Sequence, residues 1–179
     1  MFKKIVLQKP FAKLLHFERD LNDLKHAGAG TSAQPRVFII APLSGHHATL
    51  LRHTVEAFLP DHEVYITDWI DAREVPVSEG TFDLSDYVDY VMEMLEILGP
   101  GANVVAICQP GPPVLAAISL LSQNKASCLP ATMSYMGSPI DARESPQVPN
   151  QIASENNYQW FRKNMIYTVP WPNPGYMRR

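Results

Sequence analysis

The chain has 179 residues, 46% of them hydrophobic, and a formal charge of -3 at pH 7. That suits one soluble domain with a sizeable core, and the charge offers no electrostatic footprint for nucleic acid or an anionic membrane surface. The start, Met1-Phe2-Lys3-Lys4-Ile5-Val6-Leu7 before Gln8-Lys9-Pro10, is too short in apolar residues for a signal-peptide core or a membrane span. We therefore expect a cytoplasmic protein without membrane insertion. Two cysteines, Cys108 and Cys128, do not describe a disulfide scaffold or a four-ligand zinc site, and Cys128 reads as a small core or loop residue.

The elements follow in chain order. Residues 37–41 form a short run rich in β-branched side chains, the pattern of a buried strand, and Pro42-Leu43-Ser44-Gly45 ends it. From His47 to Phe58 the spacing of Leu50, Leu51, Val55 and Phe58 predicts one helix, stopped by Pro60. Residues 64–67 read as a second strand. Asp83 or Ser85 is placed to cap a helix whose Tyr87, Val88, Val91, Leu95 and Leu98 suit a 3.6 period, closed by Gly99-Pro100-Gly101. A strand at 103–107, a helix over 114–121 and a strand at 132–136 follow. Strands alternating with helices imply a mostly parallel sheet covered on both faces. From Asp141 onward the chain is rich in Pro and Asn, and we expect loop with one short helix near 154–163.

Cys108 stands at the end of the 103–107 run and is followed at once by Gln109-Pro110-Gly111-Pro112-Pro113 and the next helix. Strand, nucleophile on a sharp turn, and helix make the shape of a nucleophile elbow, with cysteine where most such enzymes carry serine. Ala106 supplies the small residue two positions before, but Pro110 stands two positions after, where G-x-S-x-G has glycine. Prolines are tolerated in a first helical turn, whose amides lack intrahelical partners. The helix N-terminus would then favour negative charge at the thiol. A buried structural cysteine at a strand end is the competing reading of the same residues.

Several blocks resemble one family. Pro-Phe-Ala-Lys-Leu-Leu-His-Phe at 10–17, Ala-Pro-Leu-Ser-Gly-His-His-Ala-Thr-Leu-Leu-Arg at 41–52, Tyr-Ile-Thr-Asp-Trp-Ile-Asp-Ala-Arg at 65–73, Ala-Ile-Cys-Gln-Pro around Cys108 and Met-Gly-Ser-Pro-Ile-Asp-Ala-Arg at 136–143 are similar to the intracellular poly(3-hydroxybutyrate) depolymerases. The resemblance implies an α/β-hydrolase fold, Cys108 as nucleophile, and hydrolysis of a stored polyester, with the hydrophobic granule as partner and no metal or organic cofactor. In this fold one oxyanion-hole amide belongs to the residue after the nucleophile, here Gln109, and the second to the loop after an earlier strand, here Leu43 or Ser44. Ser44 or His46 as an ordinary helix cap is compatible with that role. Asp68 and Asp71 precede the elbow and suit loop or capping positions better than a triad acid.

In the α/β-hydrolase order the acid and the histidine follow the nucleophile. His16, His26, His46, His47, His53 and His62 all precede Cys108. The expectation is therefore a single partial α/β-hydrolase domain over 1–179 whose C-terminal strands are missing, with 141–179 leading into a cap or C-terminal part outside it. The histidines have no recognisable metal spacing, and we expect surface or loop positions for them. Two alternatives stand beside the polyester hydrolase. One is a non-catalytic granule-binding or regulatory remnant using Trp160, Phe161, Trp171 and Tyr176; the other is an esterase or acyltransferase acting on a small ester.

Overall fold

The computed structural model describes residues 2–18, 34–44, 47–167 and 169–172. Six strands form one sheet: β1 Phe2–Gln8, β2 Ala12–Glu18, β3 Arg36–Ile40, β4 Glu63–Trp69, β5 Asn103–Ile107 and β6 Thr132–Met136. Their spatial order is β1-β2-β4-β3-β5-β6. β1 and β2 form an antiparallel hairpin, and β2 runs antiparallel to β4. The other pairings, β3 with β4, β3 with β5 and β5 with β6, are parallel. The expected mostly parallel α/β sheet is what the chain forms, with an antiparallel hairpin added at one side.

The helices are α1 His47–Leu50, α2 Arg52–Phe58, α3 Leu84–Leu98, α4 Gly111–Gln123, α5 Val148–Glu155 and α6 Tyr158–Asn164. Two expectations need correction. The single helix expected over 47–58 is broken at Leu51, whose φ of -111° and ψ of 11° leave the helical region. The single helix expected near 154–163 is two. Asn157 accepts a hydrogen bond from the Trp160 amide at 3.0 Å and starts α6, while Gln147 and Asn150 form a reciprocal cap at the start of α5.

Alternation along the strands divides the core in two. Phe38 and Ile40 of β3, Val104 and Ala106 of β5, and Ala12 and Leu14 of β2 face α3 and α4. Val37 and Ile39, Val105, Val64 and Ile66, with Leu15 and Phe17, face α2 through Leu51 and Val55. Both faces of the inner strands are thus covered, which is why β2 carries adjacent buried leucines instead of a clean alternation. α3 presents Tyr87, Val88, Val91, Met94, Leu95 and Leu98 inward at helical spacing. Full burial of each such aliphatic side chain contributes about 1.5–3 kcal/mol. Asp83 accepts from the Ser85 amide at 2.7 Å while Asp86 accepts from the Asp83 amide at 2.7 Å, a capping box. Gly99 ends the helix at φ 70°, a conformation that favours glycine.

The topology places the site. The chain leaves β3 toward β4 on one side and leaves β5 toward β6 on the other, although β3 and β5 are neighbours. Their connections diverge, and the crevice at the carboxyl ends of such a strand pair is where open α/β sheets bind ligands. Those ends carry Leu43-Ser44 and Cys108-Gln109.

Candidate functional site

Cys108 follows the last residue of β5 and has φ 68°, the left-handed region that a non-glycine residue enters at a cost of roughly 1–3 kcal/mol. It is solvent-exposed, whereas Cys128 is buried in the core beside α4. This answers the alternative of a buried structural cysteine: that description belongs to Cys128. The strained turn is pinned from β6 and the segment after it. The Cys108 amide donates to the Met136 carbonyl at 3.0 Å, and the Ser138 hydroxyl donates to the Cys108 carbonyl.

Helix α4 starts directly behind the turn, with Pro110 as its N-cap and Pro112 and Pro113 in its first turn. The Val114 amide is bonded to the Pro110 carbonyl at 2.9 Å. Because proline has no N–H, Gln109 and Gly111 alone carry amide hydrogens between Cys108 and Val114. The positive end of the helix at the thiol is thereby reduced to two donors. No acidic residue stands in that first turn to offset it. Gly111 is required by close approach: a Cβ there would lie 2.6 Å from Ser138 Oγ and 3.1 Å from Ile140 Cδ1.

The facing loop is anchored from β4. The Ala41 amide donates to Thr67 Oγ1 at 2.8 Å, and Trp69 Nε1–H donates to the Ala41 carbonyl at 2.8 Å. Both backbone groups of Ala41 are thus held by side chains, and the exposed Leu43 and Ser44 project from a fixed base. Gln109 spans the gap: its Oε1 accepts from the Ser44 amide at 3.3 Å and from the Ser44 hydroxyl at 3.4 Å. The structure therefore brings Ser44 and Gln109 together beside Cys108.

A cavity of about 490 Å³ adjoins this loop, walled by Phe11, Leu43, Ser44, Trp69, Ile70 and Phe82 among others. Cys108 is not in its wall; Ser44 is the residue shared with the Gln109 contact. Trp69, Phe82 and Phe11 were not picked out by sequence reasoning, although Trp69 lies in one of the blocks quoted above. Ser138, also missed as a partner of Cys108, lies in another.

Asp71 caps the short 3₁₀ turn after β4, accepting from the Arg73 amide at 3.0 Å. His16 stacks on Tyr65 with ring centroids 4.3 Å apart, His53 contacts Glu56 on the exposed face of α2 at 3.1 Å, and His62 approaches the Phe58 carbonyl at 3.2 Å. His26 and His46 and the side chain of His47 lie outside the described residues. Among the described residues no group of three His, Cys, Asp or Glu side chains is arranged to hold a metal, and no helix is long and apolar enough to cross a membrane.

A strained residue between a parallel strand and a helix, opposite the loop of the neighbouring strand and at the switch point of the sheet, defines an α/β-hydrolase fold. Residues 137–179, beginning beside Ser138, match the family described as PHB de-polymerase C-terminus, so this last part of the chain is similar to that family. No curated relative matches the chain. Among solved structures it is similar to the N-acyl homoserine lactonase AidH complexed with N-butanoyl homoserine, at 16% identity and a TM-score of 0.44 over 80% of this chain. The chain spans about half of that protein, 47%. A likeness of that size supports nothing further about this chain.

Proposed function

We propose that the protein is an ester hydrolase that degrades intracellular poly(3-hydroxybutyrate) through Cys108. The observation that carries this reading is the positive-φ turn that exposes Cys108 at the carboxyl end of β5. The Cys108 thiolate attacks the ester carbonyl carbon, and the C=O electron pair moves to oxygen. The amides of Gln109 and of Ser44 or Leu43 hold that oxyanion, each such donor being worth roughly 2.7–4 kcal/mol in hydrolases of this kind. Collapse expels the alkoxide, which takes a proton, and leaves an acyl-thioester that water cleaves to the free acid and thiol. In the chain order of the fold the base is a histidine that follows the nucleophile. Thiolate is intrinsically a strong nucleophile, which makes cysteine workable in a reducing cytoplasm, where we place the protein, at the surface of polyester granules.

The test is release of soluble 3-hydroxybutyrate from amorphous granules by the protein and by its Cys108→Ala variant. Loss of release in the variant supports the reading, and retained turnover removes Cys108 from the role.

A second reading, granule binding without hydrolysis, is favoured by exposed aromatic and apolar side chains on and after α6. Tyr158, Met165, Ile166, Tyr167 and Trp171 are all exposed there, and Trp160 is on the same helix. Phe161 packs edge-on against Trp160 at 5.3 Å, and Tyr176 lies outside the described residues. Co-sedimentation with granules and no soluble product would favour this reading over hydrolysis.

A further inference from the structure

The cavity beside the Leu43-Ser44 loop has a chemistry of its own. Phe11 and Phe82 stack with centroids 4.9 Å apart, and Trp69 meets Phe82 at 5.8 Å, so the wall is dominated by aromatic rings. Trp69 is held in place by its hydrogen bond to the Ala41 carbonyl, so this wall and the Ser44 loop are fixed to the same point. Asp71 is the one ionic residue among the described residues of the wall, and Arg73 Nε already bonds both of its carboxylate oxygens, at 3.1 and 3.0 Å. Among these described residues a charged ligand finds no free counter-charge, while a neutral apolar chain finds rings to pack on. At about 490 Å³ the space is within the range of small-ligand sites.

We propose that this cavity receives the acyl chain of the ester attacked at Cys108, and so sets which acyl lengths are hydrolysed. The inference rests on the reading of Cys108 as nucleophile. The geometric link is Ser44, which lines the cavity and is joined to Gln109, the residue next to Cys108. A carbonyl oxygen that takes the place of Gln109 Oε1 at the Ser44 amide is held by the residue that both lines the cavity and meets Gln109. Apolar acyl groups gain from burial there at about 0.8 kcal/mol per methylene, so selectivity rises with chain length until the space is filled.

The experiment separates cavity from nucleophile. The methyl ester of the 3-hydroxybutyrate dimer is titrated into the protein and into its Cys108→Ala variant while the assigned Trp69 indole N–H resonance is followed by NMR. A saturable shift in both is expected, whether or not Cys108 performs the chemistry; an indole signal unmoved at saturating ester overturns the proposal. Ala72, in the same wall, is then enlarged. Ala72→Phe is expected to lower kcat/KM for the p-nitrophenyl hexanoate ester at least 10-fold relative to the acetate ester. Equal change for both esters, in a variant whose NMR spectrum shows it folded, rejects the cavity as the acyl site. Should Cys108→Ala retain turnover while the Trp69 shift persists, the nucleophile assignment fails and the binding site stands.

Discussion

Gln109 Oε1 accepts hydrogen bonds from both the amide and the hydroxyl of Ser44, so the side chain of the residue after Cys108 occupies a donor on the opposite loop. If that donor serves the reaction, substrate must displace Gln109 from it. The two bonds are long and exposed, worth together about 1 kcal/mol. Gln109→Ala keeps the backbone amide and removes the competitor. We expect kcat/KM for short esters to rise about two- to five-fold, with a change in thermal midpoint of only a few degrees. A fall of more than 10-fold would instead assign the side chain the job of holding the two loops in register.

Gly111 has a steric role that its helical backbone conceals. A methyl group there meets Ser138, whose hydroxyl is already committed to the Cys108 carbonyl. Gly111→Ala should lose about 1–3 kcal/mol of stability in denaturant unfolding. Ser138→Gly in the same chain should restore part of that loss, since it removes the nearest atoms. Strictly additive effects would show that the two residues do not meet.

Tyr87 packs its ring against Trp69 at 4.6 Å, yet its hydroxyl has no hydrogen-bond partner among the described residues. Burial pushes the phenol well above its ordinary pKa. An unpaired buried hydroxyl costs stability, so Tyr87→Phe should leave the protein as stable or stabilise it by about 1 kcal/mol, read as a rise of roughly 2–4 °C in thermal midpoint. A clear drop would mean that the hydroxyl is satisfied in solution.

The Asp71 carboxyl is held down to about 2 from an ordinary 3.8, first by the Arg73 side chain and then by the Arg73 amide. A lowered pKa in the folded state favours folding above the ordinary value and is lost as pH falls from about 3.8 toward 2. Solvent screens this exposed pair, and its weight in stability is correspondingly small. Carboxyl NMR should place the Asp71 midpoint near 2, and Arg73→Ala should move it back up; an unchanged midpoint would reject the pairing.

Sequence periodicity located β3, β4 and β5 because a strand buried on both faces reads as a short apolar run, and each of these carries one, whereas β6 is an exposed edge strand without such a run. The hairpin β1–β2 was not read from the sequence, where residues 10–17 entered only as part of a resemblance. Lys3, Lys4 and Gln8 interrupt β1, as befits an edge, and adjacent Leu14 and Leu15 hide the alternation of β2. The turn at Cys108 and Gln109 and the Leu43-Ser44 turn were likewise visible in the chain, since a cysteine between an apolar run and a proline-opened helix is a local pattern. What the linear order left open were contacts between segments distant along it. Ser138 on the Cys108 carbonyl, Gln109 on Ser44, and Trp69 joining Ala41 to the aromatic cavity each join segments 28 to 65 residues apart. Local propensity and burial are properties of a residue and its neighbours in the chain. The pairing of loops at the ends of β3 and β5 exists only once the strand order sets those two ends side by side.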